Sequence, residues 1–210
     1  MLSQRQYTLQ LLEDTGLLAS KPAPVPITPR NPLDATTGEL LDDPTAYRRL
    51  IGRLLYLNLS RPDITFATQQ LSQYLATPRT THLRAAHQLV RYLKNLPGQG
   101  LFFSASSSMQ LRAFSDADWA TCPDSRRSVT GFCVFIGDSL ISWKSKKQAT
   151  VSRSSAEAKY RAMAAVTSEL VWLSQLLHDF SVSALSPALL FCDNQAAVHI
   201  VSNPVWTVCF

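Results

Sequence analysis

Acidic side chains that follow apolar segments are the residues of this sequence best suited to chemistry. Asp116 and Asp118 come soon after residues 111–114, a short apolar segment that predicts a β-strand. Residues two apart in an extended chain point the same way, so the two carboxylates share a face if the strand runs through both. Burying such a pair is costly unless it is paired or bound to metal. The alternative is a surface turn of solvated acids.

Two further acids stand at comparable positions downstream. Glu157 lies at the start of a long helical segment, and Asp193 ends the apolar segment 188–192. Carboxylates can hold two divalent cations about 3.5–4 Å apart, which clamp the attacking and leaving oxygens of a phosphodiester. Magnesium prefers oxygen ligands and keeps some of its water. Two strand-end aspartates and a glutamate in a first helical turn fit that requirement.

Both downstream acids also have a purely structural interpretation. Ser154 and Glu157 have the spacing of a capping box, in which the glutamate side chain bonds back to the amide of the N-cap residue. Asp193 is also a candidate N-cap of the short helix that follows it, although Asn194 competes for that position. The residues alone leave these alternatives open.

A change of period near residue 100 divides the chain, because apolar residues recur about every 3.6 residues before it and alternate after it. The predicted elements of the second part are strands over 111–116, 129–136 and 140–143, a helix over 154–180, a strand over 189–193 and a helix over 194–202. A right-handed helical crossover makes the fourth strand parallel to the first and places the two side by side. Asp116 and Asp193 then lie together, and the first helical turn can bring Glu157 to them.

The first part of the chain is predicted to be helical. Helices are expected over 4–15, 47–57, 63–76 and 82–95, with Ser3, Pro62 and Thr81 at the starts of the first, third and fourth. Five prolines within residues 21–32 favour an extended connector. Asp42 and Asp43 are followed at once by Pro44 and have no preceding strand, so they do not form the Asp-Asp hairpin of a polymerase.

The net charge of +5 is unevenly distributed, since residues 44–100 carry eight Arg and Lys residues against the single acid Asp63. Basic side chains that recur at helical spacing are predicted to follow a phosphate backbone: Arg84, His87, Arg91 and Lys94. The alternative is an ordinary solvated helix face. His82 and His87 are expected at the surface, because no Cys or His partner lies at metal-ligand spacing.

A second basic segment surrounds Trp143. Lys144, Lys146 and Lys147 are candidate contacts to nucleic acid, with the indole as a stacking platform. The alternative is a core tryptophan flanked by solvated lysines.

Composition bounds the class of protein. A hydrophobic content of 46% argues against general disorder, and no apolar segment reaches the roughly 18 residues that a membrane span needs. The N-terminal residues show no secretory signal. The four cysteines have no metal-ligand spacing, so reduced thiols in the cytoplasm or nucleus are expected.

Five short motifs are the most specific features: Ser115-Asp116-Ala117-Asp118-Trp119-Ala120, Arg126-Arg127-Ser128-Val129-Thr130-Gly131, Ser142-Trp143-Lys144-Ser145-Lys146-Lys147-Gln148, Ser154-Ser155-Ala156-Glu157-Ala158-Lys159-Tyr160 and Cys192-Asp193-Asn194-Gln195-Ala196-Ala197. Together they resemble the ribonuclease H region of a copia-type retrotransposon Pol polyprotein. Residues 2–7, 47–57 and 60–64 resemble the end of the reverse transcriptase of the same polyproteins. The resemblance covers nearly the whole chain in matching order.

The resemblance implies an α/β fold with a ribonuclease H-like mixed sheet of three antiparallel strands and one parallel strand. The expected divisions are an N-terminal helix and connector over 1–43, a helical region like a reverse-transcriptase thumb or connection over 44–100, and the ribonuclease H-like domain over 101–210. The implied reaction is hydrolysis of the RNA strand of RNA–DNA hybrids. Asp116, Glu157 and Asp193 are the implied catalytic ligands of Mg²⁺ or Mn²⁺, with Asp118 ranked below Asp116. The remainder of a retrotransposon polyprotein is an implied partner.

Two departures from the family pattern bear on activity. The family continues past residue 205 with another strand and a last catalytic aspartate, whereas no acid follows Asp193 here. Hydrolysis is therefore expected to be weak or absent, because losing one element of a cooperating site can remove several powers of ten in rate. Lys159 stands where the family often has a second glutamate and is expected to be a harmless surface change. The alternative function is a non-catalytic relic that at most binds nucleic acid.

Overall fold

The computed structural model describes residues 1–28, 33–182 and 187–202. The chain divides into two compact units, Met1–Phe102 and Phe103–Phe210. Part of the predicted connector, residues 29–32, and the expected end of the last helix at Asn203 and Pro204 lie outside the described residues. Within the described ranges, no helix combines the length and the apolar character needed to cross a membrane.

The first unit is built from short helices closed by a two-stranded ribbon. Its elements are β1 (Leu2–Ser3), α1 (Arg5–Asp14), α2 (Thr45–Leu57), a 3₁₀ turn (Pro62–Ile64), α3 (Thr65–Ser72), α4 (Thr80–Leu93) and β2 (Gly100–Leu101). β1 pairs antiparallel with β2. Leucines at helical spacing form the core, and α1 contributes Leu11 and Leu12 to the same cluster as Leu54 and Leu89. The N-terminal helix therefore packs with the helical region that follows it.

Helix starts in this unit differ from those predicted. Ser3 lies in β1 and does not cap α1, which has no side-chain cap. α4 begins at Thr80, earlier than predicted, with Arg79 as its N-cap. The expectation that His82 is a surface residue is wrong: it is fully buried, and its Nδ1 accepts the Arg79 amide at 2.9 Å. A buried imidazole at the third helical position thus satisfies a free backbone donor.

The second unit contains a mixed four-stranded sheet. Its elements are β3 (Leu111–Asp118), β4 (Val129–Ile136), β5 (Ser139–Lys147), α5 (Ser155–Asp179), β6 (Leu189–Phe191) and α6 (Gln195–Ser202). The strand order is β5-β4-β3-β6, with β3 and β6 parallel and the other pairs antiparallel. The predicted α/β class, with three antiparallel strands and one parallel strand, is confirmed, and it is consistent with a ribonuclease H-like fold.

α5 covers one face of this sheet and is drawn close to the end of β3. Residues of β3 alternate between buried and exposed, and Leu111 and Ala113 pack against Val166 and Leu170 of α5. Nearer the start of α5, the contact consists of small side chains only: Ala117, Ala158 and Ala162. Methyl groups let the backbones approach closely, so the first turns of α5 are held beside the C-terminal end of β3.

Candidate functional site

The register between β3 and β6 brings two of the predicted site residues together. Phe114 of β3 pairs with Phe191 of β6 in the parallel ladder. An aspartate follows two residues after each of them: Asp116 after Phe114 and Asp193 after Phe191. β3 runs through both Asp116 and Asp118, and both are exposed on the same face of the strand. The strand thus extends through both aspartates, as the prediction that their carboxylates share a face required.

Lys159 joins Asp116 and Asp193. Its Nζ atom lies 3.0 Å from Oδ1 of Asp116 and 2.5 Å from Oδ1 of Asp193. The lysine side chain is 16% exposed, whereas the aspartate side chains are 63% and 70% exposed. A largely covered lysine side chain thus contacts two carboxylates that are open to solvent. The expectation that Lys159 is a surface residue is wrong, because its side chain is largely covered and forms ion pairs with two of the candidate acids. No sequence pattern indicates this contact, since it joins three separate elements.

The ammonium of Lys159 and the carboxylate of Asp193 stabilise each other's charged form. The hydrogen bond to Asp193, followed by that to Asp116, raises the pKa of Lys159. The hydrogen bond from Lys159 in turn lowers the pKa of Asp193. Lys159 and Asp193 are therefore both charged at neutral pH, and the cluster has two carboxylates for one ammonium.

Glu157 is engaged at the start of α5. Its amide donates to Oγ of Ser154 at 3.1 Å, and its Oε2 accepts the amide of Arg153 at 2.8 Å. Its Oε1 accepts Nε and Nη2 of Arg161, one helical turn later, at 3.0 and 2.9 Å. The hydrogen bond from Arg153, and then the contact with Arg161, lower the pKa of this carboxyl. The capping interpretation is therefore met in part: Ser154 caps α5 through the amide of Glu157, but the Glu157 carboxylate accepts the amide of Arg153, one residue before the N-cap, and not that of Ser154.

The candidate acids do not fit a divalent cation as they are arranged. Asp116 and Asp193 lie close together, but both contact the ammonium of Lys159. The carboxylate of Glu157 contacts Arg153 and Arg161 instead. Among the described residues, no group of three or more His, Cys, Asp or Glu side chains could hold a metal ion. The role of Asp116, Glu157 and Asp193 as ligands of Mg²⁺ or Mn²⁺ stays a prediction.

Asp193 has no capping function, because Asn194 performs it. Oδ1 of Asn194 accepts the amide of Ala197 at 2.8 Å in the first turn of α6. Asp193, one residue earlier, is left to pair with Lys159. Of the two candidate caps that the sequence offered, the structure selects the asparagine.

Several motif residues support the site without contacting the acids. The indole Nε1 of Trp119 donates to the carbonyl of Ser152 at 3.0 Å, which ties the end of β3 to the segment before α5. The side-chain amide of Gln148 donates to Oγ1 of Thr130 at 3.0 Å and to the carbonyl of Ala158 at 2.9 Å. These bonds hold the start of α5 against the sheet. Both donors, Trp119 and Gln148, belong to the short motifs, and this is the signal in the sequence that could have identified them as supporting residues.

The basic residues of β5 lie around one cavity. Lys144, Lys146 and Lys147 line a space of about 360 Å³ together with Arg161 and the acid Glu169. Lys144 and Lys146 are exposed, and Trp143 beside them is half-buried. This cavity carries a clear excess of positive charge.

The four basic residues predicted to form a stripe along α4 and its C-cap do not share one groove. Arg84 and Arg91 line a cavity of about 490 Å³, whereas His87 lines a different one of about 520 Å³. Lys94 donates from Nζ to the carbonyl of Ser20 at 2.6 Å. Burial, and then the charge of Arg91, lower the pKa of His87, so the imidazole is neutral at neutral pH. The residues of the predicted stripe therefore do not line one common surface: two line one cavity, one lines another, and Lys94 bonds to a backbone carbonyl.

Comparison with known proteins identifies relatives over nearly the whole chain. It is 42% identical over 205 residues to the Retrovirus-related Pol polyprotein from transposon RE1 of Arabidopsis thaliana, covering 98% of this chain and 14% of the polyprotein. It is 31% identical over 214 residues to the corresponding polyprotein from transposon TNT 1-94 of Nicotiana tabacum, covering 98% and 16%. An uncharacterized mitochondrial protein of Arabidopsis thaliana is 40% identical over 173 residues, covering 82% of this chain and 72% of that protein.

No protein-family profile matches the chain, and no solved structure gives a significant match. The chain spans only 14% and 16% of the length of the two transposon polyproteins named above. The similarity to these polyproteins nevertheless extends along almost all of its residues. The chain therefore belongs to the family of retrovirus-related Pol polyproteins from copia-type transposons and corresponds to one segment of such a polyprotein.

Proposed function

We propose that the second unit is a retroelement-derived ribonuclease H-like domain that recognises RNA–DNA hybrids and hydrolyses their RNA strand weakly or not at all. The observation that carries this proposal is the pairing of β3 with β6 in parallel, which sets Asp116 beside Asp193. The first unit is proposed to be the C-terminal helical region of a reverse transcriptase. No polymerase activity is proposed for the chain.

Weak hydrolysis is proposed because the acids are not free to act together. When bound, a divalent cation would stabilise the negative charge that develops on the phosphodiester oxygens. The carboxylate of Glu157 is occupied by the amide of Arg153 and the guanidinium of Arg161, which leaves two of the three candidate ligands, Asp116 and Asp193, at the sheet edge. The loss of one member of a cooperating site can remove several powers of ten in rate.

A cleavage assay tests this proposal. The full chain is incubated with an RNA–DNA hybrid and Mg²⁺ or Mn²⁺, and the RNA fragments are measured. We expect little or no cleavage, and any cleavage should be lost in Asp116→Asn but kept in Asp118→Asn, a matched control on the same strand face. Rapid cleavage that survives Asp116→Asn would contradict the proposed site.

A second candidate function is binding of nucleic acid without catalysis. It is favoured by the cavity of β5 and α5, where Lys144, Lys146, Lys147 and Arg161 face one acid. Lysine and arginine side chains bind phosphates and release condensed counterions, which makes binding weaken with salt.

The salt dependence of hybrid binding tests this candidate. We expect the double variant Lys144→Ala/Lys146→Ala to bind a hybrid duplex more weakly. The slope of log affinity against log salt should become shallower by about one for each phosphate that is no longer neutralised. Lys21→Ala, at an exposed position of the first unit, is the control and should leave the slope unchanged. A binding affinity that does not fall with salt would rule out phosphate contacts as its source.

A further inference from the structure

We propose that Lys159 is a tethered cation, whose ammonium takes the position between Asp116 and Asp193 that a divalent ion would otherwise occupy. The native chain then neither requires a divalent ion at this sheet edge nor binds one there with appreciable affinity. This inference rests on the proposed function, since it concerns the acids of that same site, and it names the residue that silences them.

The position of the ammonium is set by the fold. Lys159 follows Ala158, which is fully buried in the small-residue contact between α5 and β3. The carbonyl of Ala158 also accepts a hydrogen bond from Gln148. The backbone that carries the lysine is therefore held on two sides. The side chain extends from there and remains largely covered, with its charged end at both carboxylates.

The charges explain why this arrangement excludes a second cation. Two carboxylates and one ammonium leave a single net negative charge, which attracts a divalent ion only weakly. An ion bound to Oδ1 of Asp116 or Asp193 would lie beside the ammonium and be repelled by it. Glu157 cannot compensate without leaving the amide of Arg153 and the guanidinium of Arg161. The lysine thus both neutralises the pair and repels a competing cation.

The test measures Mn²⁺ binding directly, by electron paramagnetic resonance of the free ion in the presence of the full chain. Lys159→Ala removes the ammonium, and Lys159→Glu replaces it with a third carboxylate. We expect both variants to bind Mn²⁺ at least about tenfold more tightly than the native chain, with Lys159→Glu the tighter of the two. Adding Asp193→Asn to Lys159→Ala leaves Asp116 as the one carboxylate of the three-residue cluster and should abolish the gain.

Two control variants are needed. One keeps the positive charge at position 159, and the other removes a positive charge at a different position. Lys159→Arg keeps a cation at the same place, and Lys146→Ala removes an exposed lysine of β5. Both should bind Mn²⁺ as weakly as the native chain. Tryptophan fluorescence checks that each variant is folded, because all four tryptophans lie within residues 103–210. If Lys159→Ala unfolds, Lys159→Glu carries the comparison.

The inference is overturned if the native chain binds Mn²⁺ as tightly as Lys159→Glu, or if folded Lys159→Ala and Lys159→Glu gain no affinity. Neither result depends on hybrid recognition or cleavage. Failure of hybrid binding would remove the proposed function while leaving the metal-binding comparison intact. The two proposals therefore fail separately.

Discussion

The ammonium nitrogen of Lys159 lies 2.5 Å from Oδ1 of Asp193, which joins the beginning of α5 to the segment that precedes α6. The same nitrogen lies 3.0 Å from Asp116 at the end of β3. Three segments that are far apart in the sequence are thus connected through one positive charge. Several measurable consequences depend on this contact and on the helix starts around it.

Removing Lys159 should change the titration of Asp193. The hydrogen bond from Lys159 holds the pKa of Asp193 below its ordinary value of 3.8. Lys159→Ala should therefore raise this pKa toward 3.8, as measured from the carboxyl carbon shift by nuclear magnetic resonance. Because the folded pKa is lowered, the contact stabilises the protein above the ordinary value and loses its effect as the pH falls through the folded pKa. Lys146→Ala should leave the pKa of Asp193 unchanged. If Lys146→Ala raised the pKa of Asp193 as much as Lys159→Ala does, the cause would be the net charge and not the contact.

Loss of the cap of α5 should destabilise the second unit alone. Ser154→Ala removes the oxygen that accepts the amide of Glu157, and we expect about 1 kcal/mol less free energy of unfolding. Tryptophan fluorescence during urea unfolding measures the stability of this unit, since residues 1–102 contain no tryptophan. Ser168→Ala, at an exposed serine within the same helix, is the control. Equal effects of the two substitutions would argue against a specific cap.

In the first unit, the ion pair of Arg61 and Asp63 should contribute far more to the free energy of unfolding than the more exposed pair of Arg53 and Asp14. The Arg61 side chain is 2% exposed and meets both oxygens of Asp63, through Nε at 2.9 Å and Nη2 at 2.7 Å. Asp63→Ala leaves a buried guanidinium without its partner, so we expect a loss of about 3–5 kcal/mol. Asp14→Ala should cost at most about 1 kcal/mol.

Circular dichroism in urea measures the helices of both units, whereas tryptophan fluorescence measures the second unit only, so a loss that circular dichroism shows and fluorescence does not is assigned to the first unit. Similar losses for Asp63→Ala and Asp14→Ala would contradict the structural account of the segment 60–64. That segment is one of those that resemble reverse transcriptase, and its Arg61 also donates to the carbonyl of Leu96 at 3.0 Å. Its pattern is therefore explained by packing within the first unit.

The stability of the first unit should depend on the protonation of His87. Burial lowers the pKa of this imidazole below its ordinary value of 6.5 in the folded state. The unfolded chain therefore takes up the proton first, and stability falls as the pH drops from the ordinary value toward the folded pKa. Urea midpoints between about pH 5 and about pH 8 should show this slope in the native chain and a reduced slope in His87→Gln. If His87→Gln showed the same slope as the native chain, the pH dependence of stability would come from another group.

Local patterns were sufficient for most elements of the second unit. Alternating apolar residues predicted the strand over 129–136, which the structure shows over the same residues, and the long helix was predicted within one residue at each end. The fourth strand is shorter than predicted because it ends at Phe191, before Asp193. Helix starts in the first unit were less predictable, since Ser3 pairs with Gly100 in a ribbon instead of capping α1. That pairing depends on a residue far away in the chain.

The sequence by itself determined the α/β class of the second unit, the parallel placement of β6 beside β3 and the identity of the acids that this placement brings to one sheet edge. These follow from hydrophobic period and crossover geometry, which are local or nearly local properties. Only the tertiary structure decided what the acids contact. Glu157 is taken up by the start of its own helix, and the ammonium of Lys159 reaches Asp116 and Asp193 because α5 packs closely on β3 through alanines. Electrostatic contacts act over a few ångströms in space, so their partners are set by packing and not by spacing along the chain.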